Sequence, residues 1–211
     1  MAGYIWLPVS TNFFPANNQV GSLGLKGMAA QWNSGRLAKN KTTYTILNNP
    51  FKSGPGKGIY RGIFGGCLGS LTAGDKLYVL LHGISSPGKT IASHLGVTRG
   101  SGLCKFYTPA ELAMLMEKEE LHKDFVNISL YACDSGVGGG DSFACRLKEA
   151  LKHIGYSHIR VTGYLGEVST SYVHRYADST QYTFTSDKCK GLIIPAKGLS
   201  GRASNNKLTF S

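Results

Sequence analysis

The chain has 211 residues, of which 42% are hydrophobic and 17% charged, a composition typical of one globular domain with a substantial core. No apolar run reaches about 18 residues, and the first residues lack the basic and apolar segments of a secretory signal, so we expect neither a membrane span nor a signal peptide. The five scattered cysteines include no Cys-x-x-Cys pair, which argues against a disulfide scaffold and a zinc site. We therefore expect a protein of the cytoplasm, or one delivered into a host cytosol.

The net charge of +11 is concentrated at the two ends of the chain. Seven Lys and Arg residues and no acid precede Asp75, and five Lys and Arg residues and no acid follow Asp187. The segment 75–187 between them holds eleven basic and twelve acidic residues and is close to neutral. The basic ends therefore predict an anionic partner such as nucleic acid, a phosphate compound or an acidic protein, with a simple solvated surface as the alternative.

Two regions are predicted. Residues 1–58 are rich in Asn, Gly, Ser, Thr and Pro, and we expect a loop-rich basic N-terminal region packed on the core. Within it, the β-branched and aromatic residues at 4–9 and 42–47 favour strands. Residues 59–211 are expected to form the core and to end in a basic C-terminal tail.

Helical and strand-like segments alternate along the core. The predicted elements are a short helix at 59–71, a buried strand at 77–81, a long loop at 83–107, a helix capped by Thr108 and Glu111, a strand at 128–132, a helix at 143–154, a strand at 159–164, a final strand pair at 181–185 and 191–195, and a loose tail at 198–211. This alternation predicts an α/β fold with a mainly parallel sheet flanked by helices on both faces. Right-handed crossovers then bring the carboxyl ends of the strands to one edge, where ligands bind.

His82-Gly83 and Cys133 each follow one of the predicted parallel strands. Adjacent strands lie about 5 Å apart, so an imidazole after one strand and a thiol after its neighbour can meet. An imidazole beside a thiol favours the nucleophilic thiolate. The amides of Gly83 and Cys133 can then form an oxyanion hole for the tetrahedral intermediate. This pair indicates a hydrolase with a Cys-His dyad.

The segment Ala132-Cys133-Asp134-Ser135-Gly136 resembles the Ala-Cys motif of clan CD cysteine peptidases, a group that includes caspases, legumain, clostripain, gingipains and the self-processing domains of bacterial toxins. The resemblance covers about residues 75–165 and also includes the His-Gly pair at the end of the preceding strand. It implies a caspase-like sheet and a cysteine endopeptidase that works through a thioester acyl-enzyme. By this resemblance His82 is the general acid/base and Cys133 is the nucleophile.

The resemblance also places the substrate pocket after the third strand, at 163–172, where Glu167, Ser169 and Ser171 are candidate substrate-binding residues. Asp134 is a further candidate, because a carboxylate in the pocket selects Arg or Lys before the scissile bond. We expect a peptide or protein substrate and no required cofactor or metal. The resemblance to the self-processing domains of toxins implies an inositol phosphate or another polyanion as a candidate activator, bound by the basic ends of the chain. The alternative is a non-catalytic caspase-like module that binds nucleic acid, inositol phosphate or an acidic protein through its basic ends.

Overall fold

A computed structural model describes residues 2–10, 25–38, 40–49, 66–85, 92–98, 104–169, 192–194 and 203–211. In chain order, these residues form β1 (Gly3–Ser10), α1 (Leu25–Leu37), β2 (Thr45–Asn49), β3 (Lys76–Leu80), β4 (His82–Ser85), β5 (Ala92–Thr98), β6 (Cys104–Tyr107), α2 (Pro109–Lys118), β7 (Asn127–Tyr131), α3 (Phe143–His153), β8 (Arg160–Tyr164), β9 (Glu167–Ser169), β10 (Leu192–Ile194) and β11 (Lys207–Phe210). Short 3₁₀ turns occupy Gly139–Asp141 and Ala203–Asn205.

The main sheet has six strands in the order β2-β1-β3-β7-β8-β11. All neighbours are parallel except β11, which runs antiparallel to β8 at one edge. The predicted α/β class with a mostly parallel sheet is therefore confirmed. From β1 the chain adds β2 on one side and then β3, β7 and β8 on the other side. The change of direction places the topological switch point, where ligands bind in open α/β sheets, between β1 and β3.

Helices cover both faces of this sheet. On one face, Trp32 of α1 packs against Tyr78 and Tyr131, with ring centroids 4.9 and 4.5 Å apart. On the other face, α3 lies so close to β8 that a Cβ added at Gly163 would meet the Ala144 side chain at 2.7 Å. The last four residues of each of β3, β7 and β8 are buried, because these strands are covered on both faces.

The first two strands belong to the main sheet. β1 pairs in parallel with both β2 and β3, and its residues Ile5, Trp6 and Leu7 are fully buried. Part of the predicted N-terminal region, 1–58, thus contributes two strands to the sheet that the predicted core, 59–211, completes.

Side-chain caps begin both α2 and α3, and that of α2 is the one predicted from the sequence. Thr108 accepts from the Glu111 amide and Glu111 bonds back to the Thr108 amide, a complete capping box with Pro109 at the first position of α2. At the start of α3, the Ser142 hydroxyl accepts from the Cys145 amide. Both helices bury apolar residues at the 3.6-residue spacing, among them Leu112 and Met116 of α2 and Leu147 and Leu151 of α3. Ala150 and Ile154, at the same spacing, are only partly buried.

Three predicted segments differ from the structure. The described part of the predicted helix at 59–71, residues 66–71, forms turns instead, in keeping with its glycines. The predicted long loop at 83–107 contains a three-stranded antiparallel sheet, β4-β5-β6. The predicted loose tail contains β11, which completes the main sheet. The predicted strand at 181–185 lies outside the described residues, and β10 pairs with β9.

Candidate active site

The predicted dyad residues follow neighbouring strands at one edge of the sheet. β3 and β7 pair in parallel from Lys76 and Asn127 to Leu80 and Tyr131. The Leu81 amide extends this pairing by donating to the Tyr131 carbonyl at 3.4 Å. His82 comes directly after Leu81, and Cys133 lies two residues after Tyr131. The sheet therefore carries both residues to the same edge, next to the switch point.

The backbones of Gly83 and Cys133 are in close contact. A Cβ added at Gly83 would overlap the Cys133 carbonyl oxygen and would lie 2.7 Å from the carbonyl carbon and 3.1 Å from the Cα. Real Cβ atoms essentially never approach other atoms within 3.0 Å. Glycine is therefore required at position 83 by this contact, and the two residues predicted to form the oxyanion hole lie side by side.

The turn that carries Cys133 is held against the end of β8. The Asp134 amide donates to the Gly166 carbonyl at 3.1 Å, and the Gly136 amide donates to the Tyr164 carbonyl at 2.8 Å. Asp134 has a φ of 54°, a left-handed conformation that is uncommon for residues with a side chain. Such backbone conformations persist only where the surrounding contacts hold them in place. They cluster at functional sites.

Ser135 is a buried part of this turn that the sequence did not single out. Its side chain is completely buried, and its hydroxyl lies 3.1 Å from the Leu130 carbonyl and 2.9 Å from the Ala132 carbonyl. The same oxygen accepts a hydrogen bond from the Tyr164 amide at 3.0 Å. Serine occurs in many surface turns, so the only signal in the sequence was its place inside the Ala-Cys motif.

The Cys133 side chain is half-buried, and its thiol lies 3.9 Å from the Val168 carbonyl, close enough for a weak hydrogen bond. Val168 is the central residue of β9, which pairs with β10. The segment after β8 was predicted to build the substrate pocket, and its residue Val168 contacts the Cys133 sulfur through its carbonyl oxygen.

The half-buried His82 imidazole has a pKa below its usual value of 6.5, because burial disfavours its charged form. It is therefore neutral at pH 7 and can accept a proton, as the general base of a Cys-His dyad must.

Cys67 contrasts with Cys133. Burial and the neighbouring Glu119 carboxylate raise the pKa of the Cys67 thiol from 9.0 to about 12. The Glu119 side chain is completely buried and also accepts from the Cys67 amide at 3.1 Å. Cys67 is thus held as an unreactive thiol beside an acid, and it provides an internal reference for the reactivity of Cys133.

The candidate substrate-binding residues fall into three groups. Asp134 is half-buried in the turn next to Cys133. Glu167 and Ser169 begin and end β9, of which the structure describes the backbone at these two positions. Ser171 lies outside the described residues. The backbone of β9 is therefore placed beside the sulfur, and the choice of specificity residue stays a prediction.

In the ranges that the structure describes, no group of three or more His, Cys, Asp or Glu side chains could hold a metal ion. None of the helices in those ranges has both the length and the apolar character needed to cross a bilayer.

No family model matches the chain, and no curated protein matches it in sequence.

Proposed function

We propose that this protein is a cysteine endopeptidase in which Cys133 attacks the peptide carbonyl and His82 moves the proton. The observation that carries the proposal is the convergence of the two strand ends, where the backbones of Gly83 and Cys133 touch. Two segments 50 residues apart in sequence meet here, one with an imidazole and the other with a thiol. A thiol hydrolase depends on this combination, because the imidazole takes the proton from the thiol that attacks.

The reaction has two halves. His82 accepts the thiol proton, the sulfur bonds to the substrate carbonyl carbon, and the oxyanion forms beside the amides of Gly83 and Cys133. The tetrahedral intermediate then collapses, and the imidazolium gives its proton to the leaving amine, which leaves a thioester on Cys133. Water then attacks this thioester while His82 takes one of its protons. The C–S bond breaks, the acid product leaves, and the imidazolium returns the proton to the Cys133 sulfur.

We also propose that the main sheet is caspase-like. The parallel sheet with one antiparallel edge strand is compatible with it, and the resemblance of the His-Gly and Ala-Cys segments supports it. The order of the first five parallel strands is also that of flavodoxin-like folds. The dyad at the strand ends therefore supports this assignment more strongly than the sheet order does.

Alkylation of the native protein with iodoacetamide tests the activated thiol. We expect Cys133 to react at least about 10-fold faster at pH 7 than Cys67 and Cys145, as measured by mass spectrometry of the peptides. Cys67 is the matched slow thiol, since its raised pKa keeps it protonated. Equal, slow labelling of all cysteines would refute an activated Cys133.

Cleavage of a peptide library tests the activity itself. We expect Cys133→Ala to abolish cleavage and Cys145→Ala, a change on α3, to preserve it. Addition of inositol hexakisphosphate tests the polyanion activator: a faster cleavage rate supports this role. If neither cleavage nor fast alkylation is seen, and salt-dependent RNA or phosphate binding survives Cys133→Ala, the chain is the non-catalytic binding module instead.

A further inference from the structure

Ser135 links the ends of β7 and β8 at the point where β7 turns away. The paired positions of these strands run from Asn127 and Arg160 to Ser129 and Thr162. After these paired positions, the Ser135 hydroxyl accepts a hydrogen bond from the Tyr164 amide at 3.0 Å. The same hydroxyl faces the carbonyls of Leu130 and Ala132. A side chain thus takes the place of the missing main-chain pairing between the two strands.

The contact with the Ala132 carbonyl matters most. This carbonyl and the Cys133 amide belong to one peptide group, which is planar and trans, so its C=O and N–H point in opposite directions. The Ser135 hydroxyl lies 2.9 Å from the Ala132 oxygen, and the Ser135 amide also donates to that oxygen at 3.4 Å. Any group that fixes the direction of the Ala132 C=O also fixes the direction of the Cys133 N–H.

The position of Ser135 is itself held firmly. Its side chain is completely buried, and its carbonyl accepts the Ala144 amide at 2.9 Å, near the start of α3. The next residue, Gly136, packs backbone to backbone against Gly163 of β8, with 2.7 Å between a Cβ added at Gly136 and the Gly163 carbonyl carbon. The hydroxyl therefore has little freedom to move away from the Ala132 carbonyl.

We infer that Ser135 is a positioning residue that aims the Cys133 amide at the oxyanion by holding the Ala132–Cys133 peptide group. This inference rests on the proposed peptidase function and adds a residue that touches neither substrate nor the reacting atoms. It concerns the oxyanion and leaves the nucleophilicity of the sulfur to His82.

The test compares two reactions of the same thiol. Iodoacetamide alkylation forms no oxyanion, whereas cleavage of the best library peptide does. For Ser135→Ala we expect kcat to fall by about 10- to 100-fold, less than the 10²–10³ lost when an oxyanion donor is removed outright. KM and the alkylation rate of Cys133 should stay within about twofold of the wild type, because binding and thiolate formation are untouched.

Thr162→Val is the matched control. Thr162 lies on β8, is also buried, and its hydroxyl bonds to the Thr209 hydroxyl at 2.8 Å, away from the Cys133 turn. This variant loses a buried hydroxyl from the same sheet, so we expect a lower melting temperature with kcat within about twofold of the wild type. An equal fall of kcat in both variants would show that general destabilisation is the cause and would overturn the inference.

Two further outcomes separate the inference from the proposed function. An active wild type whose Ser135→Ala variant keeps its kcat, or loses alkylation and cleavage together, refutes the role of Ser135 and leaves the dyad standing. A wild type without fast alkylation or cleavage refutes the function itself. If Ser135→Ala does not fold, Ser135→Cys decides, because a thiol is a weaker hydrogen-bonding group than a hydroxyl: a selective loss of kcat supports the inference, and wild-type kcat overturns it.

Discussion

Replacement of Gly83 by Ala tests the contact on which the candidate site depends. The new Cβ would overlap the Cys133 carbonyl oxygen and lie 2.7 Å from its carbonyl carbon, whereas ordinary contacts begin at 3.4 Å. The two backbone segments must therefore separate by at least about 0.7 Å at that atom, and by more at the oxygen. Both partners are main chain, so no flexible side chain can absorb the shift.

The expected magnitudes follow from this displacement. Overpacking of this kind costs about 1–3 kcal/mol of unfolding free energy. In a chain of this size, each kcal/mol lowers the melting temperature by about 2–4 °C. A misplacement near 1 Å between reacting groups costs about 10²-fold in rate. We therefore expect Gly83→Ala to lower kcat/KM for the best library peptide by about that factor, beyond what its lower stability explains.

Gly74→Ala is the control for this substitution. Gly74 precedes β3 at the opposite end of the strand, and a Cβ added there would meet only the Thr72 hydroxyl oxygen, at 4.0 Å. We expect its melting temperature and kcat/KM to match those of the wild type. A Gly83→Ala variant with wild-type kcat/KM and melting temperature would show that the two segments are not in contact as described, and the argument for the dyad would fail with it.

Three other predictions concern the pH dependence and the backbone. Folding lowers the pKa of His82 below 6.5, so as the pH falls through that value the unfolded chain binds a proton at His82 more readily than the folded chain. The free energy of unfolding should therefore decrease below about pH 6.5. His82→Gln should reduce this slope in melting curves between pH 5 and 7.5, and an unchanged slope would contradict it. Thr108→Ala removes the capping box of α2 and should cost about 1 kcal/mol in urea unfolding, whereas an unchanged midpoint would show that the cap contributes nothing. Asp134→Val places a β-branched residue at a φ of 54° and should cost about 1–2 kcal/mol, while Asp134→Asn stays near the wild type; equal stability of the two variants would refute strain at this position.

Much of the main sheet could be predicted because its signals are local. A continuous apolar run predicted β3, since a strand buried on both faces needs no alternation, and the segments at 128–132 and 159–164 predicted β7 and β8. Thr108 and Glu111 marked the start of α2 by a hydrogen-bond pattern that spans only three residues. In each case, the residues that determine the element lie within it or directly before it.

The remaining elements depend on partners that are distant in sequence. β11 was expected to be part of a loose tail because its four residues are mostly exposed and carry little apolar signal. It becomes a strand by pairing with β8, including the Thr162–Thr209 hydrogen bond. The β4-β5-β6 sheet could not be predicted for a similar reason. Its short strands include Gly and Ser, which carry little strand signal, and they are stabilised by pairing with one another.

The candidate site shows the same division. The placement of His82 and Cys133 at one edge followed from strand order and right-handed crossovers, both of which can be argued from the sequence. The close approach of Gly83 to the Cys133 carbonyl and the burial of Ser135 could not, because they depend on how two separate turns settle against each other. Glycine and serine are common in turns of every kind, so their presence at these two positions does not by itself indicate a buried contact.

The described contacts that hold this edge together are largely made by the main chain. Leu81 bonds to Tyr131, Asp134 to Gly166 and Gly136 to Tyr164, in each case from an amide to a carbonyl. The backbone of Gly83 lies too close to that of Cys133 for a Cβ to fit. These four contacts form the main-chain frame of the site, and none of them involves the side chain of His82 or Cys133. Removing the sulfur in Cys133→Ala should therefore leave the frame unchanged, so that a loss of cleavage in that variant reports on the chemistry, whereas a loss in Gly83→Ala reports on the frame.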